Sequence, residues 1–169
     1  MSEVTVYESI CRCLRDKQIE FRQLHHEPTR TSEDAAKARG EDLRIGGKAL
    51  LMKTDGEFRL FVLPADRRVD SGAIRRHLQL RKLRFATSDE LQDLTNLVPG
   101  SVPPFGAPIL PFPLFVDEAI RHNDRIAFNA GSLTDSIIMN TADYFSIAVP
   151  VDVFAFSVSV ESSSNGDSN

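Results

Sequence analysis

The sequence predicts a mixed α/β (α+β) domain built around one mixed or mostly antiparallel sheet. Three observations carry this. Capped helical patterns alternate with short apolar strand patterns along the chain. One hairpin is explicit, since "KALLMKT" and "EFRLFVL" flank Asp55-Gly56, a pair suited to a two-residue turn that needs positive φ at both positions. The third is size: 169 residues, 41% hydrophobic and 26% charged, suit one globular domain with a real core rather than two.

The elements follow in order. Residues 4–17 put Val4, Ile10 and Leu14 on a loosely helical apolar face, and "FRQLHHE" alternates as a strand. "TSEDAAKARG" reads as a helix opened by Thr31 or Ser32 and closed by Gly40. After the hairpin, Asp70 or Ser71 caps a helix with Ile74 and Leu78 on one face and Arg75, Arg76 and Gln79 turned outward. "KLRFAT" is a short strand and "SDELQDLT" a helix opened by Ser88. Residues 98–113 hold six prolines and two glycines, too many for a helix, yet the stretch is too apolar for a free linker; a rigid loop packed on the core is expected. "PLFVDEAI" is a strand running into a turn or short helical segment, "RIAFNAG" and "SIIMN" are strands, and "TADYFSIA" is a closing helix capped by Thr141. The domain is expected to span 1–156, with the Ser/Asn/Gly-rich 157–169 a disordered tail.

Composition excludes several function classes. No apolar run approaches the roughly 20 residues that span a bilayer, so no membrane partner is expected. The N-terminus lacks the pattern of a signal peptide, and a cytoplasmic location follows by default. Cys11 and Cys13, two residues apart on a helix, point to different faces, which disfavours a disulfide or a zinc site. His25, His26, His77 and His122 lack metal-ligand spacing, so neither a metal nor another cofactor is expected. The net charge of −4 argues against wholesale coating of nucleic acid. The charge is uneven, however. Residues 66–85 carry Arg67, Arg68, Arg75, Arg76, Arg81, Lys82 and Arg84 against only Asp66 and Asp70. Such an island either grips a phosphate backbone or is a solvated helix face, and both readings stay open.

Three local features bear on chemistry. Gly46-Gly47-Lys48 puts a cation at the head of an apolar strand, either a merely exposed strand end or a group that holds a charged substrate. "GSVPPFG" brackets a double proline with glycines; such a stiff loop, through Gly100, Ser101, Val102, Phe105 and Gly106, can aim amide N–H groups at a carbonyl oxygen, or it is a plain crossover. In "FNAGSLTDSIIM", Asn129 and the Gly131-Ser132 turn place small polar groups between two strands, as a site or as an ordinary hairpin.

Together these features resemble the YbaK/ProX family, the free-standing relatives of the editing domain inserted in bacterial prolyl-tRNA synthetases. The resemblance spans about residues 5–150. "GGKALLMK" is similar to the family's lysine-bearing strand, "GSVPPFG" to its Gly-x-x-x-Pro loop, and "FNAGSLTDSIIMNTADYFSIA" to its last strand pair and closing helix, most like the YeaK-like branch. The resemblance implies a bent mixed sheet flanked by helices and hydrolysis of mischarged aminoacyl-tRNA. It makes Lys48 the functional lysine and Gly100 and Pro104 members of the catalytic loop. Alanine-removing members carry a histidine where this chain has Asn129, a neutral amide that cannot act as a general base.

The implied function is an aminoacyl-tRNA deacylase acting in trans on a small amino acid such as serine, threonine or alanine. Its partner is the tRNA acceptor end, with the 67–84 block on the acceptor stem and a synthetase as a further partner. An activated ester needs positioning and electrostatic help more than a strong nucleophile, and no GxSxG elbow is present. The rival is a non-catalytic module holding a tRNA end or a nucleotide, or docking on a synthetase. A small hydrolase of unrelated esters is a third reading that no feature selects.

Overall fold

The structure, a computed structural model, describes residues 4–160. Its backbone is the hairpin of β2 (Gly47–Thr54) and β3 (Glu57–Pro64). The two strands pair in full antiparallel register from Gly47 opposite Pro64 to Thr54 opposite Glu57. Asp55 and Gly56 turn the chain with φ of 47° and 92°, as the dipeptide predicts.

Three more strands complete a five-stranded mixed sheet of order β5-β2-β3-β6-β9, with β5 Leu83–Phe85, β6 Leu114–Asp117 and β9 Asp152–Phe154. The β6 strand runs parallel to both β3 and β9. A three-stranded antiparallel sheet, order β1-β8-β7, uses β1 Phe21–His25, β7 Arg125–Asn129 and β8 Asp135–Asn140. A single parallel bridge, Gly46 to Ala127, links the two sheets. The gap there is narrow. A Cβ on Gly47 would lie 2.6 Å from Ile126 Cδ1, and one on Gly46 would lie 2.9 Å from the Ala65 side chain. The missing side chain of Gly47 is what lets the head of β2 approach β7, and that of Gly46 makes room for Ala65.

Alternation along β3 feeds two cores. Leu60 and Val62 join a large cluster with α1 (Val6–Asp16), α5 (Thr141–Ala148) and the proline-rich loop. Phe61 and Leu63 face the other way, where Ile74 of α3 (Ser71–Leu78) closes a smaller cluster with Phe115, Phe154 and Phe156. With both faces covered, β3 reads as a continuous apolar run. Two further helices are α2 (Ser32–Arg39) and α4 (Ser88–Thr95). Among the described residues, no helix is long and apolar enough to cross a membrane.

Several expectations need correction. Thr87 caps α4 and Asn140 caps α5, each one residue before the predicted Ser88 and Thr141. The cap is the last extended residue, whose side chain accepts the first free amides, as Thr87 Oγ1 does from Glu90 N at 3.0 Å. The buried face of α1 is Ile10, Cys11 and Leu14, whereas Val4 is exposed. Strands β4 (Arg67–Val69), β9 and β10 (Ser157–Ser159) are additions to the expected set; each is three residues long, too short for alternation alone to mark it.

The last of these overturns the expected disordered tail from 157. β10 pairs antiparallel with β4, Ser157 opposite Val69. Asp117, almost fully buried, accepts from Phe156 N at 2.7 Å and from Ser157 Oγ at 2.6 Å. A buried carboxylate needs such donors, and the chain just after Phe156 supplies them. The rest of that expected tail, residues 161–169, lies outside the described residues.

Candidate active site

A cavity of about 200 Å³ opens at the head of β2. Three distant segments meet in its wall: Gly46, Gly47 and Lys48 from the strand, Gly100 and Val102 from the proline-rich loop, and Asn129 from the end of β7. Helix α2 and the chain before it close the other side with Thr29, Ser32 and Arg39.

The edge of β2 explains why the cavity is there. β5 covers that edge only at Met52–Thr54, and Leu51 O still accepts from Ala86 N at 2.9 Å. Alternation turns the backbone groups of Ala49 toward the same edge, now in the cavity wall. Lys48 is half-buried, and burial pushes its ammonium below the ordinary lysine range, with the more distant Glu33 and Asp66 working against that shift. Among the described residues, its Nζ has no ion-pair partner.

Arg39, which drew no attention in the sequence, is the second cation of the wall. It stands at the end of α2 before Gly40, the left-handed residue that stops the helix (φ 69°). Its Nε donates to Ser136 Oγ at 2.9 Å and its Nη2 to Asn129 Oδ1 at 3.0 Å. Burial pushes its guanidinium down to about 10, still charged at neutral pH. A basic residue ahead of a helix-ending glycine usually just complements the helix dipole, so no sequence signal distinguished it.

Asn129 is fully engaged. Its Oδ1 accepts from Arg39 and from Ser136 Oγ at 3.1 Å, and its Nδ2 donates to Gly100 O at 2.8 Å, with Thr29 Oγ1 at 3.5 Å. The amide therefore ties α2 and β8 to the Gly100 turn, whose φ of 88° suits glycine. His26 Nε2 lies 2.8 Å from Ser136 Oγ, but Ser136 is fully buried behind the wall, so this Ser–His pair is no nucleophile for the cavity.

The other expected site residues sit behind the wall. Ser101 Oγ donates to Val98 O at 2.7 Å, and Ser101 O accepts from Gly131 N at 2.9 Å. Pro104 O accepts from the buried Tyr144 hydroxyl at 2.7 Å. Phe105 packs edge-on to Phe128 and Tyr144, and a Cβ on Gly106 would strike Phe112 O at 2.7 Å. Gly131 packs against Val6, and Ser132 Oγ bonds Thr134. Of the loop amides, Ser101 N–H reaches Val98 O and Phe105 N–H reaches Pro103 O, while Val102 N–H has no acceptor among the described residues.

The basic block divides. Arg67 is fastened to Ser157, with Nε to Oγ at 2.6 Å and Nη2 to O at 3.0 Å. Arg68 lies opposite Val158 on β10. Arg75 and Arg76 are exposed on α3, as predicted. Arg81 and Lys82 sit at the hairpin tip, where their backbone N–H groups donate to the Asp55 carboxylate at 3.1 and 2.7 Å. Arg84 forms a two-bond fork with Glu90 at 2.8 and 2.9 Å.

The family model described as the aminoacyl-tRNA editing domain matches residues 26–147. The multifunctional Ser/Thr-tRNA deacylase ProXp-y of Escherichia coli K12 is 32% identical over 152 residues, covering 85% of this chain and 89% of that protein. A proline--tRNA ligase of Bacillus licheniformis is 31% identical over 87 residues, 52% of this chain but only 15% of the ligase. Among solved structures, a candidate trans-editing enzyme for prolyl tRNA synthetase superposes with a TM-score of 0.77 at 22% identity, covering 93% of this chain and 99% of that one. Hypothetical protein APE2540 gives 0.79 at 22% identity over 89% and 100%. At such identities the structures show the fold alone, whereas the matched family model covers most of the chain: it belongs to the aminoacyl-tRNA editing domain family.

Proposed function

We propose that this protein hydrolyses, in trans, the ester of tRNA mischarged with a small hydroxyl-bearing or alanine-sized amino acid. One observation carries the reading: Lys48, Gly100 and Asn129, far apart in sequence, meet at one cavity of about 200 Å³. That volume is below the roughly 300–1,000 Å³ of drug-sized ligand sites and suits a small acyl group. The similarity to a Ser/Thr-tRNA deacylase supports the same substrate class.

In this mechanism Lys48 holds the terminal phosphate or the charge developing on the ester. The Gly100–Val102 segment borders the scissile carbonyl, and Val102 N–H donates to its oxygen as that oxygen gains charge. Water, directed by the adjacent ribose hydroxyl, is the nucleophile. Asn129, with its hydrogen bonds already made, holds the Gly100 turn in place rather than touching the substrate. Pro104 acts from behind through Tyr144. Arg68, Arg75 and Arg76 lead the acceptor stem to the cavity.

A panel of aminoacyl-tRNAs tests the reading. Multiple-turnover release of serine, threonine or alanine is expected. Protection of every ester at saturating protein would instead mark a binding module.

A further inference from the structure

We propose that Arg39 reads the acyl group: its Nη1 donates to a side-chain hydroxyl of the bound amino acid, so the site favours hydroxyl-bearing acyl groups over aliphatic ones of the same shape. This rests on the deacylase reading above and names the residue that sets its specificity.

The hydrogen-bond inventory of the guanidinium carries the argument. Arg39 offers five N–H groups and, among the described residues, spends one at Nε on Ser136 and one at Nη2 on Asn129. Among the described residues no acceptor takes Nη1. It lies beside Gly46, where a built Cβ would sit 3.5 Å from it, and both Arg39 and Gly46 line the cavity. Among the described residues the cavity wall includes no aspartate or glutamate, and Arg39 forms no ion pair. The guanidinium stays charged at neutral pH even though burial lowers its affinity for the proton.

A half-buried cation with unspent donors facing a small cavity is satisfied by water until a substrate enters. An acyl group that expels that water without supplying an acceptor leaves the donors unpaired, which is the penalty that lets polar sites reject apolar isosteres. Of the other hydroxyls in the wall, Thr29 turns its Oγ1 to Leu133 O at 3.4 Å, which leaves Ser32 as the competing neutral donor. Arg30 and Thr31 lie exposed at the rim, and Thr31 caps α2 through Asp34 N at 3.0 Å. Lys48, at the head of β2, is the cation already assigned to the phosphate or the ester charge.

The experiment compares kcat/KM for tRNA charged with threonine against valine, and with serine against 2-aminobutyrate, each pair differing by a hydroxyl for a methyl. The wild-type chain should favour the hydroxyl member about 10–100-fold, the range of one hydrogen bond to a charged donor. Arg39→Met, and Arg39→Lys, which keeps the charge and stem but has no second nitrogen, should bring both ratios to near one. Ser136→Ala, which removes the Nε acceptor and leaves Nη1 in place, should lower all four rates together and keep the ratios. Ratios near one in the wild type with active hydrolysis, or ratios unchanged in both Arg39 variants, would overturn the assignment to Arg39 while leaving the deacylase intact. Should either variant fail to fold, the other variant and the wild-type ratios still decide. No hydrolysis of any ester would sink the deacylase reading and this inference with it.

Discussion

The two ends of β2 carry the same kind of charge and use it differently. At the hairpin end, Arg84 is clasped by Glu90, which raises the Arg84 pKa and holds the Glu90 carboxyl at about 2. Asp55 is held low by the Lys82 and Arg81 amides. At the other end, five residues and about 16 Å along the strand, Lys48 and Arg39 form no ion pair among the described residues, and burial lowers both. The opposite directions of the shifts separate cations that fasten the fold from cations held ready for a ligand. Charge density in the sequence does not separate the two, because a dense run of arginines includes Arg67 and Arg84, which are already paired within the fold.

The contrast makes its largest prediction at Lys48. Lys48→Met should reduce kcat/KM for the best substrate by about 10²–10³-fold, the range for removing one electrostatic donor from a transition state. It should also leave stability equal or slightly higher at neutral pH. The sign follows from the lowered folded pKa: between it and the ordinary value the unfolded chain binds more protons, so the charged lysine burdens the fold below that window and the burden fades as pH rises through it. Activity should fall on the alkaline side before an ordinary lysine would titrate. A Lys48→Met variant of wild-type activity would erase the difference between the two ends.

Ending the chain at Phe156 comes next in size. It removes β10 and both Ser157 acceptors of Arg67, so stability should fall by about 1–3 kcal/mol in denaturant titration. Ending it at Val160 keeps the strand and should keep most of that stability. Equal stability of the two truncations would show that β10 adds nothing to the fold.

Arg75→Ala with Arg76→Ala tests the exposed middle of the block. If both arginines contact phosphates, the log–log salt slope of tRNA binding should shrink by about 1–2 units, with KM raised and hydrolysis of a short aminoacyl-adenosine mimic unchanged. An unchanged slope would make α3 a solvated face. The smallest effect belongs to Arg84→Ala, which should leave deacylation kinetics untouched. Its signature is in acid. Glu90 has a depressed folded pKa, so the Arg84 clasp adds stability above the ordinary carboxyl value of about 4.5, and that contribution is lost as pH falls toward about 2. A clear kinetic defect in Arg84→Ala would bring the hairpin end into the site after all.

What the sequence determined is local. The Asp55-Gly56 turn, the stop at Gly40, the outward placement of Arg75 and Arg76, and a non-helical 98–113 loop packed on the core follow from short-range sterics and periodicity, and the structure agrees with each. The family too was legible, because "GGKALLMK" and "GSVPPFG" are contiguous. What only the tertiary structure decided is who meets whom. The strands β4, β9 and β10 exist because a neighbour completes their hydrogen bonds, and no three-residue stretch announces its neighbour. Asn129 ties α2, β8 and the Gly100 turn together because Arg39, Ser136 and Gly100 bond its amide, and those residues come from three other segments. Arg39 is the clearest case. In the chain it is one more arginine before a glycine; burial without a carboxylate gives it its character, and burial is a property of packing that no window of sequence contains.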